Sequence, residues 1–363
     1  MVKAIFKRAK VSGITVVVPS KMISLDDEAE FYASAPEKLE KLKTAVGLET
    51  RCVVEENTTP ADLCEEAAKR LIEGMKIDRE TINALICVLD FPDYKIPPTS
   101  CVLHGKLDLP MTCMAFDVNH GCAGYIYGLN IASSMIESGA CKRILLLVGD
   151  TKSKTINIKD RISAPIFGDG AAATLLEYTE KENPSFFVLG TNGKLYENII
   201  IPAGGARMPC SAETRKEKTD EFGNTRSPEN FTMNGRAVFD FTMNTVPKNL
   251  KETMEYAEMS PDQIDYVVLH QANRSILTNV AMRAGFKDPS KVPTATLRKY
   301  GNLSVASVPS VFSDQLSEQL STQKLRLLIS GFGVGLAWGS AIINTDKIYC
   351  PKPTIYWRKN DEK

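Results

Sequence analysis

The chain has 363 residues, 43% of them apolar, and 44 basic residues balance 44 acidic ones. That length exceeds one simple core, so two fused units or one large layered domain is expected. The charge balance excludes a dedicated nucleic-acid binder, which needs a basic excess to neutralise phosphates, and no apolar run reaches the roughly 18 residues of a membrane span.

The opening segment, MVKAIFKRAKVSGITVVVPSK, is basic and then apolar. Its apolar part is short and β-branched and ends at Pro19 without a small-residue cleavage site, so it reads as a first strand rather than a signal peptide. The run Pro60–Lys76 predicts a helix, and ALICVL at Ala84–Leu89 predicts a strand covered on both faces. His104 follows in a loop-like stretch. MAFDV is extended chain running into NHGCAGYIYGLNIASSMIESG, where the apolar spacing predicts a helix over Ala123–Ser138, stopped by Gly139. Cys122 therefore falls at the strand-to-helix turn, with His120 two residues before it. Unpaired N–H groups at a helix start lower a thiol's pKa and can hold an oxyanion. Gly121 and Gly124 keep side chains off the approach, which suits a nucleophile better than a space-filling thiol.

Strands are predicted at Ile144–Gly149 and Ala171–Leu176, the second preceded by a Gly-Asp-Gly that reads as a structural turn. Pro202–Arg236 is polar and charged and reads as a long surface excursion. A helix over Val238–Met259 leads to the strand Tyr266–His270. His270 stands at that strand's C-terminal end, where ligands gather in layered α/β folds. Beyond the next helix, Ser275–Ala284, the stretch from Arg274 to Lys299 carries six basic residues and one acid, Asp288. This is either a face for an acidic partner or an ordinary solvated surface. Asn302, in KYGNLSVASVPSV, stands at a turn, where an Asn is usually a cap or an Asx turn, and a helix follows over Val305–Leu320. Between strands at Leu325–Ile329 and Ser340–Ile343 lies GFGVGLAWG. It matches no phosphate-binding pattern and reads as a tight turn that brings backbone N–H groups to a site. The tail from Lys347 shows no periodicity.

The nine cysteines include no C-x-x-C pair. They read as reduced thiols of a cytoplasmic protein, and with three histidines and no Cys/His cluster no metal site is expected. A weak internal repeat organises the rest. Asp78–Asp90 resembles Ser260–Ala272 at an offset of 182, and Ile166–Glu177 resembles Gly331–Ile343 at an offset of 165. The helix starts at Cys122 and Asn302 are 180 residues apart. The expected division is a first half, 1–180, with the Cys; a second half, 181–346, with the His, the Asn and the long loop 202–236; and a tail, 347–363.

Over roughly Ile14 to Ile343 these segments resemble β-ketoacyl-acyl carrier protein synthase III, a condensing enzyme of the thiolase superfamily. The motifs that carry the resemblance are Gly47-Leu48-Glu49-Thr50-Arg51, FDVNHGCAGYIYGL, IFGDGAAA, FTMNGRAVFDF, HQAN, YGNLSVASVP and GFGVGLAWGSA. The resemblance implies a five-layered αβαβα sandwich of two similar halves, a homodimer, and an acyltransferase that uses no cofactor beyond its thioester substrates. Cys122 would take an acyl group from acyl-CoA, with the backbone N–H groups of Cys122, Gly333 and Val334 as oxyanion hole. His270 and Asn302 would assist decarboxylation of malonyl-acyl carrier protein. Arg51 and Arg161 would contact CoA, and Arg274, Arg283 and Lys287 the acidic carrier. The chain departs from the family's pattern in having no Trp near Lys41 to stack on the CoA adenine, and Val334 replaces a Gly. The alternative is a related Cys-dependent acyltransferase, passing the acyl group to an alcohol or amine or joining two acyl chains head to head. An HMG-CoA synthase reaction needs a carboxylate near the Cys, and no Glu stands at a convincing position.

Overall fold

A computed structural model describes residues 1–32 and 36–357. Its main strands are β1 (Val2–Phe6), β2 (Ala9–Pro19), β3 (Ala84–Leu89), β4 (Met114–Asn119), β5 (Arg143–Asp150), β6 (Gly170–Tyr178), β7 (Ser185–Thr191), β8 (Tyr266–Leu269), β9 (Lys324–Gly333), β10 (Ala337–Asp346) and β11 (Thr354–Tyr356). They form two sheets, of order β11-β2-β6-β5-β3-β4 and β1-β7-β10-β9-β8. In the first, β2·β6 and β6·β5 are antiparallel and β5·β3 parallel. In the second, β7·β10 and β10·β9 are antiparallel and β9·β8 parallel. The two sheets are thus copies of one unit, as the sequence repeat implied.

The helices fill three layers around them. Helix α1 (Pro60–Met75) packs on the outer face of the first sheet. Helices α2 (Gly124–Glu137) and α5 (Ser307–Gln315) lie between the sheets, while α3 (Gly235–Tyr256) and α4 (Arg274–Ala284) cover the outer face of the second. The result is the expected αβαβα sandwich. Strands buried on both faces explain the unbroken apolar runs: all six residues of β3 are buried.

Local chemistry sets the helix ends. Thr59 accepts from the Asp62 N–H in a capping box, with Pro60 at the first helical position. Helix α3 starts three residues before the expected Val238, because the Asn234 side chain accepts from the Ala237 N–H. The single helix expected over Val305–Leu320 is three pieces: a 3₁₀ turn Ser304–Ala306, α5, and Ser317–Thr322.

The termini cross the expected 180/181 division. Strand β1 pairs antiparallel with β7 in the second sheet, and β11 pairs parallel with β2 in the first. The N-terminal segment is therefore two strands, not one. The tail contributes a strand as far as Tyr356; residues 358–363 of it lie outside the described residues. The excursion 202–236 is also more than surface. Phe231 is buried, and Arg226 holds buried Asp160 in a two-bonded ion pair.

Candidate active site

Strands β3, β4 and β5 run parallel in one sheet, as β8 and β9 do in the other, and their C-terminal ends meet at one place. Chain leaving β4 reaches Cys122, chain leaving β8 reaches His270, and β9 ends at Gly333. All three line a cavity of about 200 Å³, with Asn302, Val334 and Lys152 also in its wall and apolar sides from Ile166, Phe231, Val238 and Ile276. A larger cleft of about 810 Å³ between Lys10, Glu177, Lys324 and Asp346 is lined by no cysteine or histidine, so size does not pick the site.

Cys122 is 7% exposed and lies two residues before Gly124, the first residue of α2. Strand β9 closes on it. A Cβ placed on Gly331 would lie 2.8 Å from the Cys122 carbonyl oxygen, and one on Gly333 would lie 2.8 Å from Cys122 Cβ and 3.0 Å from Sγ. Only glycine admits this approach. The expectation of a lowered thiol pKa is overturned: burial pushes the Cys122 thiol up to about 11, against a downward pull from Lys152.

His270 is 3% exposed, and its N–H donates to Ser330 O (2.7 Å), which continues the β8·β9 pairing and fixes the residue. Phe332 meets the ring edge-on at 5.4 Å. Burial lowers the imidazole pKa to about 4, so the ring is neutral near pH 7. Its Nε2 lies 3.5 Å from Asn302 Nδ2. Asn302 is both a turn former and a site residue. Its Oδ1 accepts from the Ser304 N–H (2.9 Å) and the Ser307 hydroxyl (3.3 Å), which leaves Nδ2 to face the cavity beside His270. The first-half turn holds Asn302 in place, since the Asn302 N–H donates to Ile166 O and the Gly168 N–H to Asn302 O. The Gly-Asp-Gly motif is structural, as expected. Asp169 accepts from Val54 N–H and from the Ser153 N–H and hydroxyl, and a Cβ on Gly168 would meet Tyr300 O at 2.1 Å.

Other expected residues fall elsewhere. Arg51 does not reach the cavity. Its guanidinium is buried in a bidentate pair with Glu28 at 2.6 and 3.0 Å, behind the Gly301 turn, so its donors are spent inside the protein. Arg161 packs against Gly223 of the long loop, next to the cavity residue Ile162. Arg274 and Lys287 are exposed, and Arg283 donates to Met243 O (3.1 Å). Arg298 and Lys299 are paired with Glu49 and Asp314, and Lys291 donates to Ile264 O (2.7 Å). His104 is on a helix, Thr99–Lys106, not in a loop, with Nε2 at 3.1 Å from Pro110 O. His120 stacks on Tyr127 with ring centroids 4.3 Å apart, and burial lowers its pKa.

Sequence reasoning missed a charged cluster beside the thiol. Lys152 is 4% exposed and pairs with Asp90 and, at 3.7 Å, with Asp150. Burial opposes the ammonium, but the two aspartates outweigh it and hold its pKa above the ordinary lysine value. The carboxylates near Cys122 are thus Asp90 and Asp150 rather than a Glu. The available signal was a run of polar residues, Asp150-Thr151-Lys152, at the C-terminal end of a strand parallel to the others.

This is the fold of thiolase-like condensing enzymes, with a thiol, an imidazole and a carboxamide drawn to one cavity from two homologous halves. Residues 116–193 match the family described as 3-oxoacyl-[acyl-carrier-protein (ACP)] synthase III, and residues 254–345 match its C-terminal part. A Campylobacter jejuni protein provisionally named 3-oxoacyl-[acyl-carrier-protein] synthase 3 is 39% identical over 98% of this chain and 99% of its own. The β-ketoacyl-[acyl-carrier-protein] synthase III of Clostridium perfringens is 31% identical over 93% and 99%. A 3-oxoacyl-(acyl-carrier protein) synthase structure from Burkholderia xenovorans LB400 superposes with a TM-score of 0.91, at 34% identity over 98% and 99%. The chain belongs to the 3-oxoacyl-[acyl-carrier-protein] synthase III family and is an acyltransferase-type condensing enzyme.

Proposed function

We propose that the protein condenses an acyl-CoA with malonyl-acyl carrier protein, giving a 3-oxoacyl-carrier product and CO₂. The observation that carries this is the meeting of Cys122, His270 and Asn302 at one largely apolar cavity. Cys122 sulfur attacks the acyl-CoA carbonyl, CoA leaves as its thiolate, and an acyl-enzyme remains. Backbone N–H groups of Cys122, Gly333 and Val334 hold the oxyanion; donors of this kind are worth about 2.7–4 kcal/mol each in other enzymes. The malonyl thioester then presents its carbonyl oxygen to His270 Nε2–H and Asn302 Nδ2–H. The C–CO₂ bond breaks, the enolate is held by these two donors, and its carbon attacks acyl-Cys122. Neutral donors suit this step, because an ionised pair would bind the departing carboxylate or protonate the carbanion. Burial of His270 supports that choice.

The rest of the reading follows from the surroundings. Arg161, at the cavity margin, contacts CoA. Arg274, Arg283 and Lys287, on and just beyond α4, meet the acidic carrier, where steering depends on ionic strength. Strand β4 is a sheet edge, with Met111 and Met114 exposed at its start, and serves as the homodimer contact. Nine free thiols suit a reducing, cytoplasmic location. Among the described residues, no helix is long and apolar enough to cross a membrane. The reaction needs no cofactor beyond its thioesters.

The test mixes the purified protein with a panel of radiolabelled acyl-CoAs, then with malonyl-carrier. Label on Cys122, lost in Cys122→Ser, followed by CO₂ and a 3-oxoacyl product, is the expected result. Label without CO₂ release points to acyl transfer, and no label across the panel ends the proposal.

A further inference from the structure

The site has a buried carboxyl group that the steps above do not use. Asp150, at the end of β5, is 1% exposed, and neither carboxylate oxygen has a hydrogen-bond partner of ordinary geometry. Such a group is expensive to bury. Its surroundings connect it to the nucleophile. Lys152 Nζ lies 3.7 Å away, the Ser304 side chain pulls the Asp150 pKa down, and Ser304 Oγ lies 3.9 Å from Cys122 Sγ. Ser304 is held by its own N–H to Asn302 Oδ1 (2.9 Å), which fixes the residue whose hydroxyl lies beside the thiol.

Cys122 needs such a partner. Its proton must leave before sulfur can attack, and His270 is a poor acceptor because burial takes its pKa to about 4. Lys152 is held protonated, and Asp90 is engaged by Lys152. We propose that Asp150 takes the Cys122 thiol proton through the Ser304 hydroxyl when the acyl-enzyme forms, and returns it by the same path when the 3-oxoacyl product leaves. In the first half, the S–H bond breaks and the S–acyl bond forms. Ser304 passes one proton to Asp150 while accepting one from sulfur, and CoA departs as a thiolate that water protonates. In the second half, the carbanion displaces Cys122 as thiolate, and the proton held on Asp150 travels back to it. One proton from solvent is consumed per turnover, as decarboxylative condensation requires.

The charges around Asp150 favour this cycle. Burial raises its pKa to about 7, with Lys152 pulling down, Asp90 pushing up, Ser304 pulling down and Asp169 pushing up. Cys122 adds a further negative group when ionised. A carboxyl that titrates near neutrality can accept and release a proton in the same cycle. Lys152 acts here as a positioning residue, compensating both aspartates.

The inference rests on the proposed acylation of Cys122, but its test needs no acyl substrate. The rate of alkylation of Cys122 by iodoacetamide is followed by peptide mass against pH, with the exposed Cys101 and Cys210 as internal references. In the wild-type protein the Cys122 rate should rise through a midpoint near 7, where Asp150 ionises. Asp150→Asn and Ser304→Ala should each remove that midpoint, leaving a rate that climbs steadily with pH, and slow Cys122 at pH 8 by about a hundredfold, the lower end of general-base effects. The two losses should not add, since both cut one path. If Asp150→Asn does not fold, Ser304→Ala decides. Retention of the wild-type midpoint in the folded variants overturns the inference. Failure of acyl-CoA to label Cys122 would instead overturn the reading of the reaction.

Discussion

Gly333→Ala tests the placement of the oxyanion hole. The new methyl would lie 2.8 Å from Cys122 Cβ and 3.0 Å from Sγ. Carbon contacts are comfortable only near 3.5–4.0 Å, so the β9 end and the Cys122 turn must separate by roughly 0.5–1 Å. Neither side yields elsewhere, because Gly331 already lies against the Cys122 carbonyl and Ala123 Cα. A shift of that size misaligns the Gly333 and Val334 N–H groups with the oxyanion. Losing one such donor costs about 2.7–4 kcal/mol, which predicts acylation slowed about 10²–10³-fold. Overpacking adds about 1–3 kcal/mol of destabilisation. The assay is single-turnover acylation by intact mass, using an acyl-CoA that labels the wild-type protein, together with a thermal melt. Gly105→Ala is the control: that glycine is in a helix, exposed, with nothing within 4 Å of an added Cβ. Wild-type acylation by a folded Gly333→Ala protein would refute the geometry argued here.

Asn302→Ala should cut malonyl-carrier decarboxylation about 10²-fold, the loss of one enolate donor, and by more than it slows Cys122 acylation, which it reaches only through Ser304; normal condensation by this variant removes its assigned role. His270 gives an acid-stability signature. Its folded pKa of about 4 lies below the unfolded value of 6.5, so the unfolded chain binds the extra proton and stability falls as pH drops from 6.5 to 4. The fall should total about 3 kcal/mol at about 1.4 kcal/mol per unit, and His270→Gln should flatten that part of the melting-temperature profile. The double reversal Arg274→Glu, Lys287→Glu should raise KM for malonyl-carrier several-fold at low salt and leave the melting temperature within a few degrees. An unchanged KM would make this face an ordinary solvated surface.

Much of the architecture was legible because burial on both faces writes itself as unbroken apolar runs, as in β3 and β5, and because the two halves repeat the same order of pairings. Cys122, His270 and Asn302 were legible for a different reason: each stands at a turn, Cys122 just ahead of α2, His270 just past buried β8 and Asn302 after the Gly301 turn. What was not legible depends on long-range packing. Arg51 lies in a motif that suggests a ligand contact, but Glu28, 23 residues earlier in sequence, takes its guanidinium. The exchange of β1 and β11 between sheets leaves no local mark, since a strand's sequence does not name its partner. Nothing local marks Lys152 as buried: Asp90, 62 residues earlier in sequence, takes its ammonium.

One physical cause unites the site. Desolvation raises the Cys122 thiol and the Asp150 carboxyl and lowers the His270 imidazole, and in each case it is the largest influence. All three groups are therefore driven toward their neutral forms in the resting enzyme. Neutrality suits His270, whose task is to donate a hydrogen bond to an enolate without capturing the malonyl carboxylate. It works against Cys122, whose task is to become an anion. A cavity dry enough to favour decarboxylation thus suppresses its own nucleophile. The ammonium of Lys152 and the carboxyl of Asp150 sit where this conflict has to be resolved: one lowers the cost of negative charge on sulfur, and the other holds the proton while sulfur is acylated.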